Sequence, residues 1–86
     1  MKKSLGKILK EARLKKGYVI QELSKKLKVS GTYIHKIEST EEIPKKEILI
    51  ELCKILDLNV NKLIEIAIKK KLEVYEQQLR EKYSIE

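Results

Sequence analysis

The 86-residue chain contains no tryptophan or phenylalanine, one proline and a single cysteine. With only Cys53 available, an internal disulfide is excluded, which fits a reducing compartment. No stretch approaches the roughly 18 apolar residues that a membrane-spanning helix requires. Lysines also interrupt the apolar positions after Met1, so a signal peptide is not indicated. We therefore expect a cytoplasmic protein with no membrane partner.

The groupings of side chains that support catalysis or metal binding are also missing. The only histidine, His35, has no second histidine, cysteine or carboxylate at ligand spacing, so we expect a surface or capping role for it. No nucleophile is paired with a general base, and there is no glycine-rich phosphate loop. Cys53 lies among apolar neighbours and is expected in the core. These absences predict that the protein is not an enzyme and that it binds no cofactor or metal.

Positive charge is abundant, and it is concentrated in one part of the chain. Residues 1–36 carry 11 lysines and arginines against two acidic residues, a net charge of +9. Residues 37–86 carry nine basic against 11 acidic residues, a net charge of −2, and the two segments together account for the formal charge of +7. This asymmetry favours contact with a polyanion, the alternative being a lysine-rich solubilising surface.

Composition and apolar spacing predict an all-α chain of five helices. Ser4 and Ser30 are the expected N-caps of the first and third helices, and Gly17 follows the first. Pro44 suits the first turn of the fourth helix, where its missing N–H costs nothing. On the fifth helix Leu63, Ile64, Ala67 and Ile68 are expected to pack on the core. The predicted helices span about 5–16, 20–27, 31–39, 44–56 and 60–82.

Residues 20–39 form the segment that points to a function. Two short helices joined by a tight turn must approach closely, and Ser24 supplies the small side chain that this requires. An apolar seam of Leu23, Leu27, Val29, Ile34 and Ile37 joins them. This spacing leaves Gly31, Thr32, Tyr33 and Lys36 facing outward. A helix with such a basic, donor-bearing face can enter the DNA major groove, which is about 12 Å wide.

Residues 5–68 resemble the Cro and phage-repressor (Xre-type) helix-turn-helix family. The matching positions are Arg13, Gly17, 23–27, 29–30, 33–38, Pro44, Leu52 and 56–58. The resemblance implies a five-helix, lambda-repressor-like DNA-binding domain in residues 1–68. It also implies that Gly31, Thr32 and Lys36 touch base edges, and that Arg13 and Glu38 form an internal salt bridge between helices 1 and 3.

From the outward face and the resemblance together we obtain a set of candidate DNA contacts. Two roles are open for Tyr33: contact with a phosphate or a thymine methyl group, or packing beside Lys28. Two are also open for Lys36: contact with DNA, or a solvated side chain with no partner. The full set is Ser30, Gly31, Thr32, Tyr33, Lys36, Gln21, Lys25 and Ser39.

Four features depart from the family's pattern. Val19 and Ile20 replace the usual cap of helix 2 and the glutamine that grips phosphate. Lys28 stands where a glycine with positive φ is usual, and a left-handed non-glycine residue costs roughly 1–2 kcal/mol. The loop after helix 3 is acidic, with Glu41 and Glu42 together. Gly31 offers no side chain to a base.

Residues 69–86 are predicted to form a C-terminal helical extension. Ile68, Leu72, Tyr75 and Leu79 follow one another at steps of four, three and four, which is the spacing of a short coiled-coil seam. We therefore expect a homodimer joined through this helix. The alternative is a tail that folds back on its own core or frays.

The predicted function is sequence-specific binding of double-stranded DNA by a small repressor-like transcriptional regulator. Helix 3, about residues 31–39, would lie in the major groove, and the protein would act as a dimer. The alternative is a protein-interaction module on the same fold, such as an antitoxin or repressor antagonist, whose tail helix holds a protein partner. The acidic loop and the missing glutamine favour that alternative, and the +9 charge of residues 1–36 favours DNA.

Overall fold

The computed structural model describes residues 3–40 and 42–84, and within these residues the chain forms five α-helices and no strand. The all-α, five-helix prediction is therefore confirmed, and the helix boundaries agree with it except at the start of the fourth helix. The helices are α1 (Leu5–Lys16), α2 (Ile20–Leu27), α3 (Gly31–Ser39), α4 (Lys46–Leu56) and α5 (Val60–Lys82).

Pro44 lies outside α4, so the prediction that it occupies the first turn is wrong. The N-cap is Lys45, whose backbone is extended at φ −60° and ψ 151°. The carbonyl of Lys45 accepts the first helical hydrogen bond, from the amide of Leu49 at 2.9 Å. Because the cap residue follows Pro44, the proline ring precedes the helix, and it is buried.

Short-range hydrogen bonds define the ends of most helices. A capping side chain satisfies one of the backbone donors that each helix start leaves unpaired. The end of α1 is set by Gly17, which adopts a left-handed conformation at φ 81° without steric cost. The capping oxygens and the amides they accept from are Ser4 with Lys7, Ser30 with Tyr33, and Asn59 with Lys62.

The core is formed by side chains from all five helices. Fully burying an aliphatic side chain contributes roughly 1.5–3 kcal/mol, so the fold depends mainly on these residues. Cys53 is among them, as expected, and burial raises the pKa of its thiol. The buried apolar residues are Leu5, Leu9, Leu23, Leu27, Ile34, Ile37, Leu49, Leu52, Cys53, Leu56, Leu63 and Ala67.

Helices α1 and α3 make a close approach at Gly6, a glycine to which the sequence pattern assigns no role. A Cβ atom on Gly6 would lie 2.5 Å from the carbonyl oxygen of Ile37 and 2.8 Å from that of Glu38. Neither backbone atom can move away without shifting α3, so no side chain fits at Gly6. Because Gly6 has no side chain, the end of α3 lies directly against α1.

Helix α5 leaves the core part-way along its length. Leu63 and Ala67 are buried, but Ile68 is 52% exposed, so the prediction that it packs on the core is wrong. Ile68 comes one residue after Ala67 and therefore lies about 100° around the helix from the buried row. No residue in the described stretch 68–82 is buried. The molecule is accordingly elongated, measuring 49 × 24 × 24 Å.

None of the described helices has the length and apolar character that crossing a bilayer requires.

Candidate nucleic-acid interface

The turn between α2 and α3 keeps a left-handed residue although it has no glycine. Lys28 adopts φ 57° and ψ 41°, as its place in the helix-turn-helix pattern predicts. Its amide donates to the carbonyl of Lys25 at 3.3 Å, and the amide of Val29 donates to that of Ser24 at 3.0 Å. These bonds hold the turn in shape despite a conformational cost of roughly 1–2 kcal/mol.

The start of α2 is capped in an unusual way. Val19 is the N-cap residue, and its side chain has no oxygen that could accept a hydrogen bond. Glu22 instead accepts from the backbone amide of Val19, with 3.0 Å between Oε1 and N. This contact is the carboxylate half of a capping box. As expected, α2 has no hydrogen bond from an N-cap side chain, and the Glu22 carboxylate binds the Val19 amide instead.

A buried ion pair joins α1 to α3 behind the helix-turn-helix. Arg13 donates from Nε to Glu38 Oε2 at 2.8 Å and from Nη2 to Oε1 at 3.0 Å. Its Nη1 donates to the carbonyl of Tyr18 at 2.8 Å. The side chains of Arg13 and Glu38 are only 8% and 6% exposed. Arg13 therefore orients α3 rather than adding to the positive charge of the surface.

The outward side of α3 is a single row of exposed side chains, which we call the α3 stripe: Thr32, His35, Lys36 and Ser39. These residues stand at i, i+3, i+4 and i+7, which places them on one face of a helix. Ile34 and Ile37 are buried on the opposite side. The stripe includes His35, for which the sequence predicted only a surface or capping role. The sequence alone could have placed His35 on this stripe, because it stands three residues after Thr32 on the same helix.

Tyr33 is half-buried and lies off the α3 stripe. Its hydroxyl accepts a hydrogen bond from the backbone amide of Lys45 at 3.2 Å. The ring lines a small recess with Val29 and Ile48. The structure therefore shows Tyr33 packed against the start of α4, and its contact with DNA stays a prediction.

The remaining candidate residues lie on α2 and at the start of α3. Gln21 and Lys25 are exposed one turn apart on α2, and so share one face. Ser30 is exposed, with its Oγ capping α3. Gly31 is half-buried; a Cβ there would lie 3.6 Å from the Ile20 side chain, an ordinary contact.

The chemistry of this surface is that of hydrogen-bond donors and positive charge. The α3 stripe and the face of α2 that carries Gln21 and Lys25 contain hydroxyl, imidazole, amide and ammonium groups and no carboxylate, and the exposed Glu22 on α2 caps the start of that helix. Such groups bind phosphate oxygens and the edges of bases. Glu42 is exposed in the following loop, and Glu41 lies outside the described residues. Among the described residues, no group of three or more histidine, cysteine, aspartate or glutamate side chains could hold a metal ion.

Comparisons with known proteins agree with this geometry. The family described as "Helix-turn-helix domain" matches residues 6–67. The N-terminal DNA-binding domain of SinR from Bacillus subtilis is 31% identical with a TM-score of 0.62, over 70% of this chain and 88% of that one. The clp gene regulator ClgR from Corynebacterium glutamicum shares the fold at 24% identity and a TM-score of 0.63, over 92% and 89%. No curated protein sequence matches the chain significantly.

Proposed function

The chain belongs to the Xre-type helix-turn-helix family, and on that premise we propose that it is a transcriptional regulator that binds double-stranded DNA sequence-specifically. Helix α3 lies in the major groove. The observation that carries the proposal is the α3 stripe, a row of exposed polar and basic groups without a carboxylate. The core and the buried Arg13–Glu38 pair hold this helix rigidly from behind.

Different parts of the surface have different tasks in this proposal. Thr32 and Lys36 contact base edges. The Thr32 hydroxyl can donate a hydrogen bond to a base or accept one from it, and the Lys36 ammonium group donates to the O6 and N7 atoms of guanine. Gln21, Lys25 and the α3 N-terminus at Ser30 bind backbone phosphates, which positions α3 without reading sequence. Gly31 has no side chain, so it contributes through close approach of its backbone.

The protein acts as a homodimer, with residues 1–68 binding DNA and residues 69–86 as the dimerisation element. One α3 spans too few base pairs to select a genomic site, and paired readers stand about 34 Å apart. The interface we propose is the α5 stripe: Ile68, Leu72, Tyr75 and Leu79. Leu72 and Tyr75 are 61% and 60% exposed in the single chain, and a second copy would cover this apolar row.

The DNA proposal is tested by selecting duplexes from a random pool and measuring affinity at several salt concentrations. About six phosphate contacts per dimer give a log–log slope near −5. Lys36→Ala and Thr32→Ala should each cost about 1–3 kcal/mol on the selected site. The matched control Lys25→Ala should weaken selected and random duplexes equally. A chain that binds no duplex at low salt would contradict the proposal.

The dimer proposal is tested by the mass in solution of the full chain and of Leu72→Glu/Leu79→Glu. The double variant should be a monomer, because two carboxylates would be buried without partners. Lys69→Gln/Gln77→Glu is the matched control: it changes the net charge by the same two units on another face of α5, and it should remain a dimer. A wild-type monomer at tens of micromolar contradicts the proposal.

A protein-interaction module, such as an antitoxin or repressor antagonist with a protein partner, is the second candidate. The observation that favours it is an open groove between the start of α1 and α5. Leu5, Ile8, Ile43 and Ile66 supply its apolar lining, and both lysines, such as Lys62, and the carboxylates Glu65 and Glu73 also line it. Failure to bind DNA together with an intact, stable fold would favour this candidate.

A further inference from the structure

His35 is exposed at the middle of the α3 stripe, one helical turn before Ser39. Its backbone carbonyl accepts the hydroxyl proton of Ser39, with 2.6 Å between the oxygens. The same Ser39 Oγ lies 3.4 Å from Nδ1 of the His35 ring. A hydroxyl has one proton, and here that proton already points to the carbonyl. The Oγ–Nδ1 contact is therefore a hydrogen bond only when Nδ1 carries the proton and donates it.

This arrangement determines what His35 offers to a ligand. In a neutral imidazole one nitrogen donates and the other accepts, and the partner of one nitrogen sets the role of the other. When the ring is neutral and Nδ1–H is directed to Ser39, the lone pair is on Nε2. His35 then adds a hydrogen-bond acceptor to the α3 stripe, where Lys36 is a donor only.

We propose that His35 is a specificity-determining residue that accepts a hydrogen bond at Nε2 from the exocyclic amino group of a base. In the major groove these groups are N6 of adenine and N4 of cytosine. The inference rests on the proposed function, since it requires α3 to enter that groove. Lys36 selects guanine at its position, whereas His35 selects adenine or cytosine at a neighbouring one. Ser39 is the positioning residue that keeps the ring in this tautomer.

The experiment uses the full chain and the duplex selected from a random pool. Each adenine or cytosine of that site is replaced in turn by purine or 2-pyrimidinone, which lack the exocyclic amino group. At one position the wild-type affinity should fall about tenfold, within the range expected for a base contact. His35→Ala should lose about the same factor on the unmodified site and nothing further on the modified one, which is the signature of direct coupling.

Two further variants make the result specific to His35. Lys36→Ala should remain sensitive to loss of the amino group, because it removes a different contact. Ser39→Ala should reduce that sensitivity, because the ring loses the acceptor that fixes Nδ1–H. Since His35 and Ser39 are exposed, both variants should keep the wild-type Tm.

The outcomes separate this inference from the proposed function. A wild-type chain that selects no DNA site overturns both. A chain that selects a site, but whose His35→Ala variant remains fully sensitive to every amino deletion, overturns the inference about His35 alone. The same holds if His35→Ala abolishes sensitivity to 7-deazaguanine instead, because the ring would then be donating to guanine N7.

Discussion

The two parts of α5 follow the same helical geometry but are stabilised in different ways. In residues 60–67, Leu63 and Ala67 are buried in the core and Asn59 caps the helix. In residues 68–82 nothing is buried, and an ion pair between Glu76 and Arg80 at 2.8 Å links successive turns. Short helices are marginal in water without tertiary packing. The extension therefore depends on continuity with the packed part and on contacts between successive turns, such as this ion pair.

The largest expected effect is in the packed region, at the buried ion pair. Arg13→Ala should lower the free energy of unfolding by about 3–5 kcal/mol, because it leaves the Glu38 carboxylate buried and unpaired. Urea denaturation followed by circular dichroism measures this. Arg13→Met/Glu38→Leu, which removes both charges, should lose less than the single variant. A loss below about 1 kcal/mol for Arg13→Ala would contradict a structural role for the pair.

The next comparison applies one substitution to both regions. Leu52→Ala removes a fully packed side chain and should cost about 2–5 kcal/mol. Leu72→Ala removes a side chain that is 61% exposed, so in dilute, monomeric protein its cost should be within about 0.5 kcal/mol. If the α5 stripe joins two copies, the effect of Leu72→Ala should grow with protein concentration. Thermal denaturation over a range of concentrations measures both.

A smaller effect is expected where α1 meets α3. Gly6→Ala should destabilise the protein by about 1–3 kcal/mol, because its methyl group would overlap backbone oxygens of α3. Gly31→Ala is the matched control, since it also replaces a helical glycine but meets only an ordinary contact. It should leave the free energy of unfolding unchanged or raise it slightly. Equal stabilities for the two variants would show that the close approach is relaxed in solution.

The smallest effect is expected in the extension. Arg80→Ala removes an exposed i,i+4 ion pair with Glu76, which should cost about 0.2–0.5 kcal/mol of helix stability. The helical signal in circular dichroism at low and high salt measures it, and the difference from the wild type should shrink as salt increases. A change of several kcal/mol would mean that Arg80 has a partner beyond its own helix.

The helix boundaries were predictable because they depend on information within a few residues. Ser4 and Ser30 are neighbours of the amides that they cap, and apolar spacing along each helix gives its inner face. The same spacing gave a misleading result for Ile68, because periodicity does not show where the core ends. Pro44 was misplaced because a proline that precedes a helix cap resembles one in the first turn.

The candidate interface was predictable in part. Thr32, Lys36 and Ser39 were in the predicted set and share the α3 stripe. The sequence did not show that the Tyr33 hydroxyl accepts from the Lys45 amide, or that the Ser39 oxygen faces the His35 ring. The contact between Tyr33 and Lys45 depends on how α3 packs against the start of α4, whereas the contact between Ser39 and His35 depends on the rotamers of two exposed side chains on one helix.

By itself, the sequence determined five helices, the caps at Ser4, Gly17 and Ser30, the apolar side of the first four helices and the concentration of basic residues in the first half, all of which depend on local spacing and composition. Only the tertiary structure decided how closely α1 approaches α3 at Gly6, and that the Tyr33 hydroxyl accepts a hydrogen bond from the Lys45 amide. The physical reason is that these features arise from atoms far apart in the chain. Close packing brings such atoms together, and helical periodicity carries no information about which ones meet.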